Sequence, residues 1–122
     1  MSLLSNQAIE FRRAYGIRNS LNQRLTQTRL IVEEFKEFIE ADSDMSLMHP
    51  QDREACLKEL ADLVYVCAQY AENMDWDLEQ ALRRVHKSNM SKLDDDGKPV
   101  KREDGKVLKG PNYQPPDLSD LV

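Results

Sequence analysis

The stretch Leu57-Lys-Glu-Leu-Ala-Asp-Leu-Val-Tyr-Val66 places two acids, Glu59 and Asp62, inside an otherwise largely apolar run. At about 100° per residue, Glu59 falls in the middle of the apolar face of a helix and Asp62 at its margin. Residues three apart on a helix point to the same side, so the two carboxylates project together. A helix this apolar must pack against other elements, and it predicts the central helix of an all-α protein.

A second stretch, Leu30-Ile-Val-Glu-Glu-Phe-Lys-Glu-Phe-Ile-Glu-Ala41, repeats the arrangement with Glu34 and Glu37. On a helix, Glu34 falls between Leu30 and Phe38, and Glu37 lies at the edge of the apolar arc. One such pair alone is more typical of a solvated helix surface. Two pairs, both within apolar arcs, favour a functional cluster between facing helices.

The four acids together predict a bound cation, because burying unpaired carboxylates is costly. Di-iron bundles add a His to each acidic pair, and neither pair here has a His at that spacing. A set of oxygen ligands without His suits Mg²⁺ or Mn²⁺. Such ions bind and polarise phosphates and lower the pKa of a bound water.

The pattern predicts four helices and an irregular C-terminal tail. Short connections favour antiparallel neighbours in a bundle, so the second and third helices would bring their acids face to face. We expect a helical domain over residues 1–93 and an arm over residues 94–122, which belongs to the same domain or packs on a neighbouring subunit. The predicted helices run from about Ser5 to Tyr15, Leu21 to Ala41, Pro50 to Asn73, and from after Asp77 to near Leu93.

Two polar residues of the fourth helix, Asn89 and Lys92, are candidate phosphate contacts, as an amide donor and a cation. Asn89 lies on an otherwise apolar face, and Lys92 follows one turn later. Each has an alternative interpretation. Asn89 would be a buried side chain bonded to a backbone carbonyl, and Lys92 a cation stabilised by the helix dipole.

The arm carries two Asp-Gly turn signals. Residues 97–113 contain five cations and two acids. Two interpretations stay open: a solvated, partly disordered tail, or a basic strap that brings Lys109 and Tyr113 over an anionic site of its own or a neighbouring subunit.

Composition narrows the function classes. The chain has 122 residues and a formal net charge of -5, which argues against a general binder of nucleic acid or anionic membranes. No apolar run reaches the length of a membrane span, and the first residues show no signal-peptide pattern, so a cytoplasmic protein is expected. Cys56 and Cys67 lie too far apart on one predicted helix to form a disulfide.

At this point a family resemblance is visible. Glu33-Glu34-Phe-Lys-Glu37 followed by Glu59-Leu-Ala-Asp62 resembles the Glu-Glu-x-x-Glu … Glu-x-x-Asp signature of the all-α, MazG-like nucleoside triphosphate pyrophosphohydrolases. The stretch Val85-His-Lys-Ser-Asn-Met-Ser-Lys-Leu93 and the arm segment 102–113 look like the compact single-domain branch of that family. The resemblance covers essentially the whole chain.

The resemblance implies a helical bundle that forms a dimer or a dimer of dimers. It implies hydrolysis of a (deoxy)nucleoside triphosphate to the monophosphate and pyrophosphate, in nucleotide-pool sanitation or remodelling. By position it implies a metal-ligand set of Glu34, Glu37, Glu59 and Asp62 for Mg²⁺ or Mn²⁺, with Glu33 as an outer-shell base or ligand, and phosphate contacts at Asn89 and Lys92. The helix wheel turns Glu33 outward.

Three alternatives compete with this interpretation. Phosphoribosyl-ATP pyrophosphohydrolase shares the fold and the metal site, although the long arm argues against it. A bundle that binds nucleotide or metal without turnover belongs to a different functional class. A plain structural bundle would require the four acids to be exposed to solvent. The base preference of the enzyme is open at this stage.

Overall fold

The computed structural model describes residues 2–122 and confirms an all-α protein. Four helices account for most of the chain. The only strands within these residues are two short ones of two residues each, which pair with one another. The elements are α1 Leu3–Ala14, α2 Leu21–Asp44, α3 Pro50–Asn73, α4 Leu78–Met90, β1 Val100–Lys101, β2 Val107–Leu108 and a 3-10 turn Ser119–Leu121.

Residue contacts divide the chain into two compact units. The first ends at Asp77 and contains α1–α3, and the second is Leu78–Val122 with α4 and the arm. The sequence predicted a boundary after Leu93. By residue contacts, α4 instead groups with the arm rather than with α1–α3. The position of the functional domain boundary stays a prediction.

Local sequence signals explain where α2 and α3 begin and end. The Ser20 hydroxyl accepts a hydrogen bond from the backbone N–H of Gln23 at the start of α2, as an N-cap should. Pro50 opens α3, where its missing N–H costs nothing. Asp75 ends this helix with a φ of 59°, and the Trp76 N–H then bonds back to the Ala71 carbonyl at 2.9 Å, which closes the last turn.

Helix α3 is the centre of the first unit, because it packs against both α1 and α2. The buried apolar residues of this unit are small: Ala8, Cys56, Ala68 and Ala71. Several large apolar side chains are exposed, including Phe35 and Ile39 of α2 and Leu57 of α3. The protomer therefore leaves much of its apolar surface uncovered.

Arg12 of α1 is a buried cation that ties α1 and the following loop to α3. The residue is only 3% exposed, and burial lowers the pKa of its guanidinium. It donates to the side-chain oxygens of Asn19 at 2.7 Å, Gln69 at 3.3 Å and Asn73 at 3.0 Å. Because its partners come from two further segments, this residue fixes how α1 lies on α3.

The second unit shows that the arm has more structure than the irregular tail the sequence predicted. Strands β1 and β2 pair antiparallel, with Val100 opposite Leu108 and Lys101 opposite Val107. The Asp-Gly signal closes this hairpin, since Gly105 has a φ of 89° and the side chain of Asp104 accepts from the Lys106 N–H at 3.1 Å. The strands themselves are too short to leave a sequence pattern.

Two further features of residues 2–122 concern the cysteines and the character of the helices. Cys56 and Cys67 are both free, as the spacing predicted. None of the helices in this range combines the length and apolar character that crossing a bilayer requires.

Candidate active site

Three of the predicted acids meet between α2 and α3. Glu34 of α2 and Glu59 and Asp62 of α3 each offer a carboxylate oxygen, and these oxygens all lie within 4.8 Å of one another. All three residues are half-buried. Ligand atoms around one Mg²⁺ lie about 3–4 Å apart, given coordination distances near 2.1 Å, so small side-chain adjustments would let the three share an ion.

The electrostatics of this cluster fit a divalent cation. Glu34 Oε2 and Glu59 Oε2 are buried and have no hydrogen-bond partner in the part of the chain that the structure describes. A buried acceptor without a donor costs about 1–3 kcal/mol, and more when it is charged. A bound Mg²⁺ or Mn²⁺ would satisfy both oxygens, and the all-oxygen donor set is the kind these ions prefer.

Lys58 is a neighbour of the cluster that the sequence reasoning missed. Its Nζ lies 2.6 Å from Asp62 Oδ2 and 3.6 Å from Glu59 Oε1. The hydrogen bond to Asp62, followed by the charge of Asp62, raises the pKa of Lys58. The lysine side chain is 66% exposed, so its bridge is a weak one and leaves the two buried oxygens without a partner. The four-residue spacing from Lys58 to Asp62 was the available signal.

Glu37 lies at the rim of the cluster rather than among its three closest ligands. It is exposed, yet it is near enough to Glu34 for the hydrogen bond between them, and then the Glu34 charge, to raise the pKa of Glu37. The sequence placed it at the edge of the apolar arc, and the structure turns it into solvent. Glu33 is also exposed, in line with the helix wheel.

The burial of the three closest acids disfavours a plain structural bundle. That alternative requires the acids to be solvent-exposed, whereas Glu34, Glu59 and Asp62 are half-buried and two of their oxygens are shielded from water. The like charges of such a cluster repel one another. This repulsion would destabilise a helix pair whose role is purely structural.

Of the four candidate substrate-binding residues, three lie close together within the second unit. The ammonium groups of Lys92 and Lys109 lie 6.0 Å and 4.8 Å from the centroid of the Tyr113 ring, within the usual range of a cation–π contact. Asn89 is exposed on α4, and its carbonyl accepts the Lys92 N–H at 3.2 Å. Asn89 is therefore not the buried, carbonyl-bonded side chain of the alternative interpretation.

The chain matches a known protein family. The family model described as phosphoribosyl-ATP pyrophosphohydrolase matches residues 7–89, about two thirds of the chain. The match includes all four predicted metal ligands and Asn89, and it ends before Lys92, Lys109 and Tyr113. No curated protein matches the chain.

Proposed function

The chain belongs to the phosphoribosyl-ATP pyrophosphohydrolase family, and from this membership we propose that it hydrolyses a (deoxy)nucleoside triphosphate to the monophosphate and pyrophosphate. The single observation that supports this most is the acidic cluster of Glu34, Glu59 and Asp62 with its two unsatisfied oxygens. Carboxylates arranged in this way suit an ion that in turn binds phosphate oxygens.

In this proposal Glu34, Glu59 and Asp62 hold Mg²⁺ or Mn²⁺, and Glu37 joins them from the rim. A bound ion of this kind neutralises phosphate charge and makes a nearby water more acidic. The burial of the cluster strengthens these electrostatic effects, because the local dielectric is lower than in water. The carboxylates would need no hydrogen-bond donors of their own, since the cation satisfies them.

The remaining residues act on the substrate. Water attacks the α-phosphorus in line with the bond to the β-phosphate oxygen, this bond breaks, and pyrophosphate leaves. We assign Glu33 as the outer-shell base that takes the proton of the water. Lys92 and Lys109 bind the departing pyrophosphate through charge-assisted hydrogen bonds, Asn89 donates from its amide, and Tyr113 orients the two lysines.

The test is a nucleotide panel assayed for pyrophosphate release with Mg²⁺, with Mn²⁺ and with a chelator. We expect release of one pyrophosphate per monophosphate from at least one nucleoside triphosphate, and none with the chelator. Release of inorganic phosphate instead would place the cleavage at the β–γ bond and contradict the proposal.

Phosphoribosyl-ATP is the second candidate substrate, and the family match favours it. It carries the same triphosphate, so the same cluster could serve both reactions. Side-by-side measurement of kcat/KM on phosphoribosyl-ATP and on the nucleotide panel decides between them. A preference for phosphoribosyl-ATP would change the substrate and leave the roles of the acids as proposed.

A bundle that binds nucleotide without turnover is the alternative of another class. It predicts saturable, metal-dependent binding of nucleotide with no pyrophosphate release by the wild-type protein. We regard the intact four-acid set, which matches the acidic signature of the pyrophosphohydrolases, as an argument against this alternative.

We also propose that the protein is a homodimer in which a second copy covers the outer face of α2. Five large apolar residues lie within one 80° stripe of this helix at 100° per residue, on the side opposite Glu34. Leu25, Val32 and Ile39 follow a seven-residue spacing and are 59%, 46% and 44% exposed. That spacing suits packing against another helix, and exposed apolar stripes of this size mark interaction surfaces. The five residues are Leu21, Leu25, Val32, Phe35 and Ile39.

A further inference from the structure

The arm returns along α4 in the direction opposite to the helix. Successive arm residues meet successively earlier residues, first of the turn after α4 and then of α4 itself, which is the pattern of a segment packed along its own helix. The contacts are Gly110 at Lys92 and Leu93, Gln114 at Ser88 and Ser91, and Asp117 and Asp120 at Arg84.

At Gly110 the arm has no room for a side chain. A Cβ at this position would lie 2.9 Å from the Leu93 carbonyl oxygen and closer still to the Lys92 carbonyl oxygen. Both are backbone atoms of the turn that follows α4, and they cannot move aside as a flexible side chain would. Gly110 is not among the glycines with positive φ, so lack of space, rather than backbone strain, requires glycine here.

Hydrogen bonds hold the arm to the helix beyond Gly110. The hydroxyl of Ser88, a buried residue, donates to the Gln114 carbonyl at 2.7 Å, and the Gln114 N–H donates to Ser91 Oγ at 2.9 Å. Further along, Arg84 donates to the Asp117 carbonyl at 2.9 Å and to Asp120 Oδ2 at 3.0 Å. Contacts from Arg84 and Ser88 of α4, and from Ser91 just after it, therefore hold the arm.

Lys109 and Tyr113 are the residues that this docking brings beside Lys92. Two ammonium groups then share one aromatic ring. Neither lysine has a carboxylate within salt-bridge distance among residues 2–122. Like charges held near each other repel, and an anion placed between them relieves the repulsion. The two point charges suit a ligand with several phosphate groups.

We propose that Lys92, Lys109 and Tyr113 form one polyphosphate-binding site that is assembled within a single protomer, with Gly110 as the positioning residue that lets the arm reach it. This assignment rests on the proposed function for the identity of the anion, a nucleoside triphosphate or pyrophosphate. In this arrangement the arm brings Lys109 and Tyr113 to Lys92 of its own protomer, and not to Lys92 of a neighbouring subunit.

Mixed oligomers test whether the site is assembled in cis. Lys92→Met and Lys109→Met subunits are mixed, exchanged by mild denaturation, and isolated as heterodimers through two different tags. In the cis arrangement every site lacks one lysine, so we expect turnover no higher than the average of the two parent variants. Recovery of about half the wild-type turnover would overturn the proposal, since a trans arrangement restores one intact site per dimer. Tagged wild-type mixed with the double variant verifies that exchange has occurred.

Pyrophosphate binding measured by calorimetry in the presence of Mg²⁺ tests the role of Gly110. A lost charge-assisted hydrogen bond weakens binding about tenfold or more, so we expect that loss for Lys109→Met and a similar loss for Gly110→Ala. Adding Lys109→Met to Gly110→Ala should change little further, because the arm is already displaced. Gly97→Asn is the matched control, since Gly97 has open space around it and a positive φ that Asn tolerates.

Wild-type affinity in Gly110→Ala, or full additivity of the two substitutions, would overturn the positioning role. The proposed function fails separately. If the wild-type protein released no pyrophosphate from any nucleotide while pyrophosphate binding still required both lysines, the site would stand and the reaction would not. If the wild-type protein turned over a nucleotide while the mixed dimers recovered activity, the proposed reaction would stand and the assembly of the site within one protomer would not.

Discussion

Glu34 and Glu59 each keep one carboxylate oxygen shielded from water without a donor to satisfy it. Within the protein the only cation that touches this cluster in residues 2–122 is Lys58, and it bridges other oxygens from a largely exposed position. The cluster is thus costly in the metal-free protein and favourable once a dication is bound. This difference is the physical basis of the proposed reaction.

Glu59→Gln should lower kcat at least about 100-fold, because loss of one metal ligand impairs both ion binding and charge stabilisation. The metal-free variant should unfold at the wild-type temperature or above it, since repulsion within the cluster is relieved. Steady-state assays and thermal melts in a chelator measure both effects. Glu54→Gln, on the exposed side of the same helix, is the matched control. A rate near that of wild type would contradict the assignment.

Glu37 predicts how stability depends on pH in the absence of metal. Its pKa is raised above the ordinary value of 4.5, mainly by its hydrogen bond with Glu34, so between these two values the folded state binds more protons than the unfolded state. The free energy of unfolding should therefore fall as pH rises from 4.5 through the folded pKa. Urea titrations with a chelator measure this slope. Glu37→Gln should flatten it, and an unchanged slope would contradict the assigned contact.

Arg12 differs from the acidic cluster, because the hydrogen bonds of this buried cation are satisfied by other residues of the protein. Arg12→Met removes the donor to Asn19, Gln69 and Asn73. It leaves the buried Gln69 Oε1 without its donor, while Asn73 Oδ1 keeps the Ser20 N–H, so the loss should be about 1–3 kcal/mol. Arg13→Met on the exposed side of α1 should change stability by less than about 0.5 kcal/mol. Equal losses in the two variants, measured by urea unfolding, would show that the hydrogen-bond network contributes little.

At the level of elements, the sequence predicted those features that leave a periodic or capping signal. Helix α3 begins at Pro50 and ends at Asn73 as expected, because proline and an uninterrupted apolar pattern mark it. Helix α2 runs on to Asp44 instead of Ala41 and α4 stops at Met90 instead of Leu93. Polar residues at helix ends can continue or stop a helix, so the pattern alone does not decide these bounds.

Other features depend on contacts between distant residues and could not be read from the pattern. The Arg12 network joins α1 to residues of α3, and an arginine near a helix end ordinarily reads as a surface cation. The docking of the arm requires space at Gly110 that only the folded chain defines. Of the candidate site residues, the pairing of Glu34 with Glu59 and Asp62 was predictable, because helical spacing and a short connection bring them face to face.

The exposed apolar stripe on α2 predicts how substitutions in this helix affect dimerisation. Leu25→Glu together with Val32→Glu should convert the dimer to a monomer, because it places two charges in an apolar helix interface. Light scattering after size exclusion measures the mass. Leu47→Glu is the control, since Leu47 is 69% exposed in the loop between α2 and α3, away from the stripe. A wild-type monomer, or a variant that stays dimeric, would contradict this interface.

Because the whole molecule is negatively charged, binding of an anionic nucleotide depends on local positive charge. The chain carries a formal charge of -5, so its overall field repels a nucleoside triphosphate. Binding must come from concentrated positive charge, which the proposal provides as a divalent ion in the first unit and two lysines in the second.

The central claim is that a divalent ion binds between α2 and α3. The most direct measurement is an anomalous difference map from crystals soaked in Mn²⁺, collected for the wild-type protein and for Glu59→Gln. We expect a peak within about 2.2 Å of oxygens from Glu34, Glu59 and Asp62 in the wild type, and a much weaker one in the variant. A wild-type map with no peak there, and with the three carboxylates turned into solvent, would contradict the claim.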